Sequence, residues 1–204
     1  MFKTKEALIP YLLLVAALAG GVLWHESEAV PGLGRTVTSG TAAVGGPFHL
    51  IDQDGRPRAS SDFSGRYQLI YFGYSNCPDV CPTTLGVIAE ALDKMGVDGD
   101  RIVPIFITID PGHDTPKVLK AYVAAFGSRF VGLTGTQAQI TAVEKTYRVY
   151  AEKKPLDSSN GRGGKYTFNH SSVIYLMGPD GKLVSFYDEL IAPDALAKNL
   201  RAKI

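Results

Sequence analysis

The sequence predicts an α/β domain built around a mixed sheet, and three features carry that prediction. Apolar runs rich in β-forming residues occur at 67–73 and 101–110, as expected of buried strands. A segment with apolar residues at helical spacing follows each run. Two strand-like segments then flank Pro179-Asp180-Gly181, which predicts a hairpin before a last helix. This order is typical of α/β domains, although periodicity alone does not choose among their topologies.

The first half of the domain begins near Pro47. Residues 47–67 combine a short strand with two glycine-containing turns, and the central strand 67–73 follows. Pro82 then predicts the start of a helix, because proline is favoured at the first helical position. The apolar face of this helix is formed by Leu85, Ile88, Leu92 and Met95.

The second half contains two helices with clear starting signals. Thr115 followed by Pro116 predicts an N-cap and a first helical residue. After a short strand at 130–133, Thr136 and Gln139 have the spacing of a capping box. The polar stretch "AEKKPLDSSNGRGGKY" predicts an inserted loop, and the last helix is expected at 193–203.

The composition excludes some functions and favours a folded domain. The chain has 204 residues, with 21 Lys and Arg against 20 Asp and Glu and a net charge of +1. Such a balance, without a basic face, argues against nucleic acid as a partner. The 45% hydrophobic and 10% aromatic content is ordinary for a globular protein.

The N-terminal region predicts a membrane anchor over residues 1–24. Residues 7–24 carry no charge and follow two lysines, which favours an orientation with the N-terminus in the cytoplasm. A cleaved signal peptide is the alternative, because Ala17-Leu18-Ala19 has the small-x-small pattern. Residues 25–46 are predicted to be a flexible tether, and 47–204 the folded domain. Either alternative places the domain on the extracytoplasmic side, in the periplasm if the source is bacterial.

Cys77 and Cys81, the two cysteines of the chain, lie between the predicted central strand and its helix. A disulfide that closes so short a loop would stabilise the fold little. If Pro82 is the first helical residue, Cys81 is the N-cap, and the helix dipole should lower the pKa of its thiol. The pair can therefore form a redox couple or bind a soft ion such as Cu(I) or zinc.

A third metal ligand is to be sought among four histidines. His25 is a poor candidate at the predicted membrane edge, and His49 lies in the first strand. His113, in the loop "DPGHDTP", and His170, directly before an apolar strand, can both lie near the cysteines. Taken alone, each histidine is more typical of an ordinary surface residue.

Three motifs in order, "FGYSNCPDVCPTTL", "DPGHDTP" and "FNHSSVIYLMGPDG", give a strong resemblance to the SCO/SenC family over residues 48–204. Members of this family are membrane-tethered copper chaperones of cytochrome oxidase assembly. The resemblance implies a thioredoxin-like fold and copper ligation by Cys77, Cys81 and His170. It also implies that Asp79 and Asp110 support the site or recognise a partner without binding the metal.

The sequence departs from the usual family pattern in three places. Asn76 stands where a histidine is common before the first cysteine, so that position offers no additional ligand. Asn169 replaces the acidic residue that commonly precedes the liganding histidine, which removes a negative charge beside it. Gly112-His113 occupies a position where the family often has arginine.

Two functions follow from the resemblance and from the cysteines. A metallochaperone would bind Cu(I), with Cu(II) as an open alternative, and deliver it to an oxidase subunit or another cuproprotein. A thiol–disulfide oxidoreductase would instead use Cys77 and Cys81 to reduce the cysteines of such a partner, so enzymatic activity is an open question. A redox or copper sensor is a third, weaker alternative. Metal transfer predicts a surface site, flanked by Tyr74 and the loop 153–164.

Overall fold

A computed structural model describes residues 44–156 and 166–204. The strands in this part of the chain are β1 (His49–Asp52), β2 (Pro57–Ala59), β3 (Tyr67–Gly73), β4 (Ile102–Thr108), β5 (Val131–Thr134), β6 (Ala151–Pro155), β7 (Tyr166–His170), β8 (Val173–Met177) and β9 (Leu183–Asp188). The α-helices are α1 (Val80–Met95), α2 (Pro116–Ala124), α3 (Gln137–Tyr147) and α4 (Pro193–Arg201), and short 3-10 helices span Ser60–Phe63 and Gly96–Arg101.

The main sheet has the strand order β2-β1-β5-β4-β3-β8-β9. Its centre is the parallel pair β3 and β4, which runs in register from Tyr67 opposite Ile102 to Gly73 opposite Thr108. β8 pairs with the other side of β3 in the antiparallel sense and continues into the hairpin with β9. The predicted mixed sheet is therefore confirmed. β3 and β4 are buried almost throughout, which explains their unbroken apolar sequences.

Two predicted helix starts agree with the structure. Thr115 caps α2 by accepting a hydrogen bond from the backbone N–H of Val118. Thr136 and Gln139 form the predicted capping box at the start of α3. Each helix therefore begins where a side-chain oxygen satisfies a backbone donor that lacks an intrahelical partner.

The start of α1 differs from the prediction. Asp79 is the N-cap, and Cys81 lies inside the first turn rather than at the cap. The N–H of Thr83 donates to the carbonyl of Asp79 and closes that turn at 3.2 Å. Pro82 is tolerated two residues further into the helix than expected, because the first-turn N–H groups have no intrahelical acceptors.

The prediction of a loop across 151–166 is wrong at its two ends. β6 and β7 pair as a separate two-stranded antiparallel sheet, with Ala151 opposite His170 and Pro155 opposite Tyr166. The ammonium of Lys153 lies 3.5 Å from the centre of the Tyr166 ring. This cross-strand packing gives an otherwise polar segment a reason to pair.

The predicted anchor over residues 1–24 and most of the tether lie outside the described residues, as do residues 157–165. In the part of the chain that the structure covers, no helix has both the length and the apolar character needed to span a bilayer.

Candidate metal centre

The two cysteines lie at the carboxyl end of the central strand β3, where ligand sites of α/β folds collect. The N–H of Cys77 donates to the carbonyl of Tyr74 at 3.2 Å, which turns the chain directly after β3. Cys81 follows in the first turn of α1 and is fully buried, whereas Cys77 is half-buried. Both cysteines are free thiols.

His170, at the end of β7, faces Cys81. Its Nε2 lies 3.7 Å from Cys81 Sγ. For an ion held at the distances typical of zinc ligands, about 2.3 Å to sulfur and 2.0–2.1 Å to nitrogen, trigonal or tetrahedral angles separate the two ligand atoms by about 3.6–3.8 Å. These two atoms therefore already have the spacing that one shared soft ion requires.

The orientation of the His170 ring is fixed by two neighbours. Nδ1 lies 3.0 Å from the carbonyl oxygen of Ser171, which can only accept, so Nδ1 carries the proton. The ring also packs edge-on against Tyr74 with centroids 6.0 Å apart. Tyr74 is buried, and its hydroxyl shares a hydrogen bond of 3.1 Å with Thr167 Oγ1. The unprotonated Nε2 of a neutral His170 is consequently directed at the sulfur.

The two thiols differ strongly in acidity. A hydrogen bond from the Cys81 thiol holds the pKa of Cys77 far below its ordinary value, and the N–H groups of Cys81 and Asp79 contribute further. The same hydrogen bond, together with burial, raises the pKa of Cys81. The reduced pair therefore consists of a Cys77 thiolate and a Cys81 thiol.

The predicted lowering of the Cys81 pKa is wrong for a geometrical reason. The N–H of Cys81 belongs to the first turn of α1 and lies 3.5 Å from Cys77 Sγ. The positive end of the helix dipole therefore acts on the preceding cysteine, across the turn. Cys81 itself packs in the core, where Tyr71 donates to its sulfur at 3.9 Å.

Asp110 ties β7 to the loop after β4. It is only 4% exposed, and its carboxylate accepts a hydrogen bond of 2.5 Å from the Tyr166 hydroxyl. This hydrogen bond raises the pKa of Tyr166 to about 12. Lys153 adds an ion pair with Asp110 at 3.5 Å. Asp79, in contrast, is exposed at the start of α1, and its side chain makes no cap hydrogen bond.

Asp114 and Gly73 are site residues that the sequence predictions missed. Asp114 is fully buried in the loop between β4 and α2 and accepts hydrogen bonds from Ser75, Thr108 and His113. An aspartate two residues before a helical proline resembles any capping residue, so the sequence gives no sign of its burial. A Cβ atom at Gly73 would lie 2.8 Å from Cys81 Sγ, so glycine leaves the space that this sulfur occupies.

The structure thus brings Cys77, Cys81 and His170 together and leaves His49 exposed on β1. Within residues 44–156 and 166–204, no set of three or more His, Cys, Asp or Glu side chains already has the arrangement of a formed metal site. The three-ligand set therefore stays a prediction, supported by the contacts of Cys81 with both other residues.

The SCO1/SenC family model matches residues 36–204 of the chain. Over 202 residues, 34% are identical to a mouse protein described as "Protein SCO2 homolog, mitochondrial", which covers 95% of this chain and 78% of the mouse protein. An Arabidopsis thaliana protein, "Protein SCO1 homolog 1, mitochondrial", is 38% identical over 82% of this chain and 49% of its own length.

Solved structures show the same fold. Bradyrhizobium japonicum ScoI with copper bound is 42% identical and has a TM-score of 0.71, covering 79% of this chain and 100% of that protein. Yeast Sco1 with copper bound is 35% identical, with a TM-score of 0.70 over 78% of this chain and 87% of the yeast chain. The predicted thioredoxin-like α/β fold is thereby confirmed. The chain belongs to the SCO1/SenC family.

Proposed function

We propose that this protein is a copper metallochaperone of cytochrome oxidase assembly that holds Cu(I) through Cys77, Cys81 and His170. The observation that carries the proposal is the 3.7 Å separation of Cys81 Sγ and His170 Nε2 beside a half-buried Cys77 thiolate. Solved relatives from B. japonicum, A. thaliana and yeast are described with copper bound. Two soft sulfur ligands with one imidazole suit Cu(I) better than a hard cation.

Loading of the site requires one proton to leave. Cys77 is already a thiolate, so it takes the incoming ion first. The positive charge of the ion then favours loss of the Cys81 proton, since a coordinating thiol is deprotonated. His170 completes the site through Nε2 without a change in protonation, because its Nδ1 already carries the ring proton.

Release is proposed to proceed on the Cys77 side of the site. Cys81 is fully buried, so a copper-accepting oxidase subunit or another cuproprotein would reach the ion from the side of the half-buried Cys77 and His170 and not through Cys81. If residues 1–24 form the predicted anchor, the domain would meet such a partner at the extracytoplasmic face of a membrane.

The second candidate function is thiol–disulfide reduction of a partner protein. It is favoured by the unequal acidity of the pair, because a partly exposed thiolate at Cys77 can attack a disulfide and a protected thiol at Cys81 can resolve it. Both functions use the two cysteines, but only copper binding needs His170 as a ligand.

Competition titration of Cu(I) against a chromophoric chelator tests the proposal with the reduced full-length protein. Loss of a group that only hydrogen-bonds to a metal ligand typically lowers metal affinity about 10–100-fold. Loss of the ligand itself in His170→Ala should therefore lower Cu(I) affinity by about 100-fold or more. His49→Ala, which removes an exposed histidine on β1, is the matched control and should bind as tightly as the wild type. Unchanged affinity of His170→Ala would instead favour the reductase.

A further inference from the structure

His113 is an exposed histidine beside the metal centre to which no role has been assigned. Its side chain is 44% exposed, and its Nδ1 lies 2.8 Å from Asp114 Oδ1. The same Nδ1 lies 3.4 Å from the hydroxyl of Ser75. One edge of the ring is therefore held by the protein, while Nε2 has no hydrogen-bond partner among the described residues.

The surroundings of Asp114 determine which nitrogen of His113 carries the proton. The fully buried carboxylate accepts from the N–H of Ser75 at 2.9 Å, from its hydroxyl at 2.5 Å and from the hydroxyl of Thr108 at 2.6 Å. A carboxylate surrounded by donors acts only as an acceptor, so Nδ1 of His113 must be protonated to face it. The lone pair of a neutral His113 then resides on the exposed Nε2.

This arrangement is the one that metal-binding histidines adopt. A ligating imidazole usually donates its second N–H to a carboxylate, which fixes the ring and makes the free nitrogen more basic. Here the carboxylate is itself fixed by Ser75 and Thr108. A surface histidine without such a partner would be free to rotate and to exchange tautomers.

Ser75 connects this histidine to the first cysteine. It lies within the turn that the hydrogen bond from Cys77 N–H to the Tyr74 carbonyl closes. Two residues of chain span at most about 7 Å, so the Ser75 and Cys77 backbones are close. His113 and Cys77 therefore project from adjoining loops at the carboxyl ends of β3 and β4.

We propose that His113 is an auxiliary copper ligand, used while the ion enters or leaves the site. This inference rests on the proposed copper function. In the transfer step the bond from Cu(I) to His170 Nε2 breaks and a bond to His113 Nε2 forms, while the Cys77 and Cys81 thiolates both stay bound. The oxidation state of copper does not change, and no proton moves, because both imidazoles keep theirs on Nδ1.

The rate of copper transfer tests this role. Stopped-flow transfer of Cu(I) from the loaded protein to excess bicinchoninate should slow by about tenfold in His113→Ala, the lower end of what loss of a metal-site partner costs. Equilibrium affinity should not change, because a ligand used only in passage alters loading and release equally. His49→Ala is the control. Wild-type rates in a folded His113→Ala would overturn the proposal.

A second measurement does not depend on that variant. In His170→Ala, where the permanent imidazole is absent, excess Cu(I) should shift the ring Nε2 resonance of ¹⁵N-labelled His113. The metal-free wild type should show His113 protonated at Nδ1. An Nε2–H tautomer, or no shift on adding Cu(I), would refute the inference. The proposed function fails separately, if His170→Ala binds Cu(I) as tightly as the wild type.

Discussion

Replacement of Gly73 by alanine should damage the metal centre without removing any ligand. Gly73 ends β3, and a Cβ atom there would lie 2.8 Å from Cys81 Sγ, 3.0 Å from Phe106 Cε2 and 3.2 Å from Tyr71 Cε1. Favourable contacts between non-bonded heavy atoms begin near about 3.5 Å. The new methyl group must therefore displace the sulfur or two buried aromatic rings.

The expected losses of stability and of Cu(I) affinity depend on which of these three groups the methyl group displaces. Phe106, Tyr71 and Cys81 are all fully buried, and the shortest of the three contacts is with Cys81 Sγ, so the sulfur must shift furthest. Overpacking of a core costs about 1–3 kcal/mol, while alanine regains about 0.5–1 kcal/mol relative to glycine in a strand. We expect a net destabilisation of about 1–2 kcal/mol. A sulfur displaced by more than about 0.5 Å no longer matches His170, and Cu(I) affinity should fall roughly tenfold.

Urea unfolding and Cu(I) competition measure the two effects on one preparation of reduced protein. Gly86→Ala is the matched control, because Gly86 lies in α1 and its Cβ would meet no atom within 4 Å. Alanine there should stabilise the helix by about 0.5–1 kcal/mol and leave copper binding unchanged. The reasoning would be refuted if Gly73→Ala matched the wild type in both stability and affinity.

Two further predictions concern the acidity of the thiols and the attachment of β7. The pKa of Cys77 is low in the native protein, whereas the ordinary thiol value is 9.0. Between these two values the unfolded chain binds one more proton than the native state, so the free energy of unfolding rises with pH. The reduced wild type should therefore gain stability relative to Cys77→Ser across this window. Above it, Cys81 keeps its proton in the native state because its pKa is raised, so the stability of the wild type itself should fall with pH. Urea midpoints across pH measure both arms, and a difference from Cys77→Ser that stays flat below the ordinary thiol value would contradict the assignment. Tyr166→Phe leaves the buried Asp110 without its hydroxyl donor and should cost about 1–3 kcal/mol in urea unfolding, whereas an exposed Asp110 would make it neutral.

Local signals in the sequence predicted the elements well. Thr115 before Pro116, and Thr136 with Gln139, each specify a helix start through atoms only three residues apart. The run 67–73 predicted β3 at its observed bounds, since a strand buried on both faces must be apolar throughout. The spacing of the cysteines after this strand likewise predicted a binding or redox site.

Contacts between distant segments were outside the reach of such signals. β6 formed because Lys153 and its neighbours pair across to β7, although their own composition is polar. His170 meets Cys81 although 89 positions separate the two residues in the chain. Pro82 alone could not show that the helix starts at Val80.

The sequence by itself determined the α/β class through local patterns of residue types, and its three motifs carried the family resemblance, which in turn implied the three candidate ligands. Only the tertiary structure decided which cysteine is the thiolate, which nitrogen of His170 faces the sulfur, and that Asp114 is buried beneath His113. Proton positions and burial depend on which loops meet at the end of β3 and β4. The contact between these loops forms only in the packed fold, because Ser75 and Asp114 are 39 positions apart in the chain.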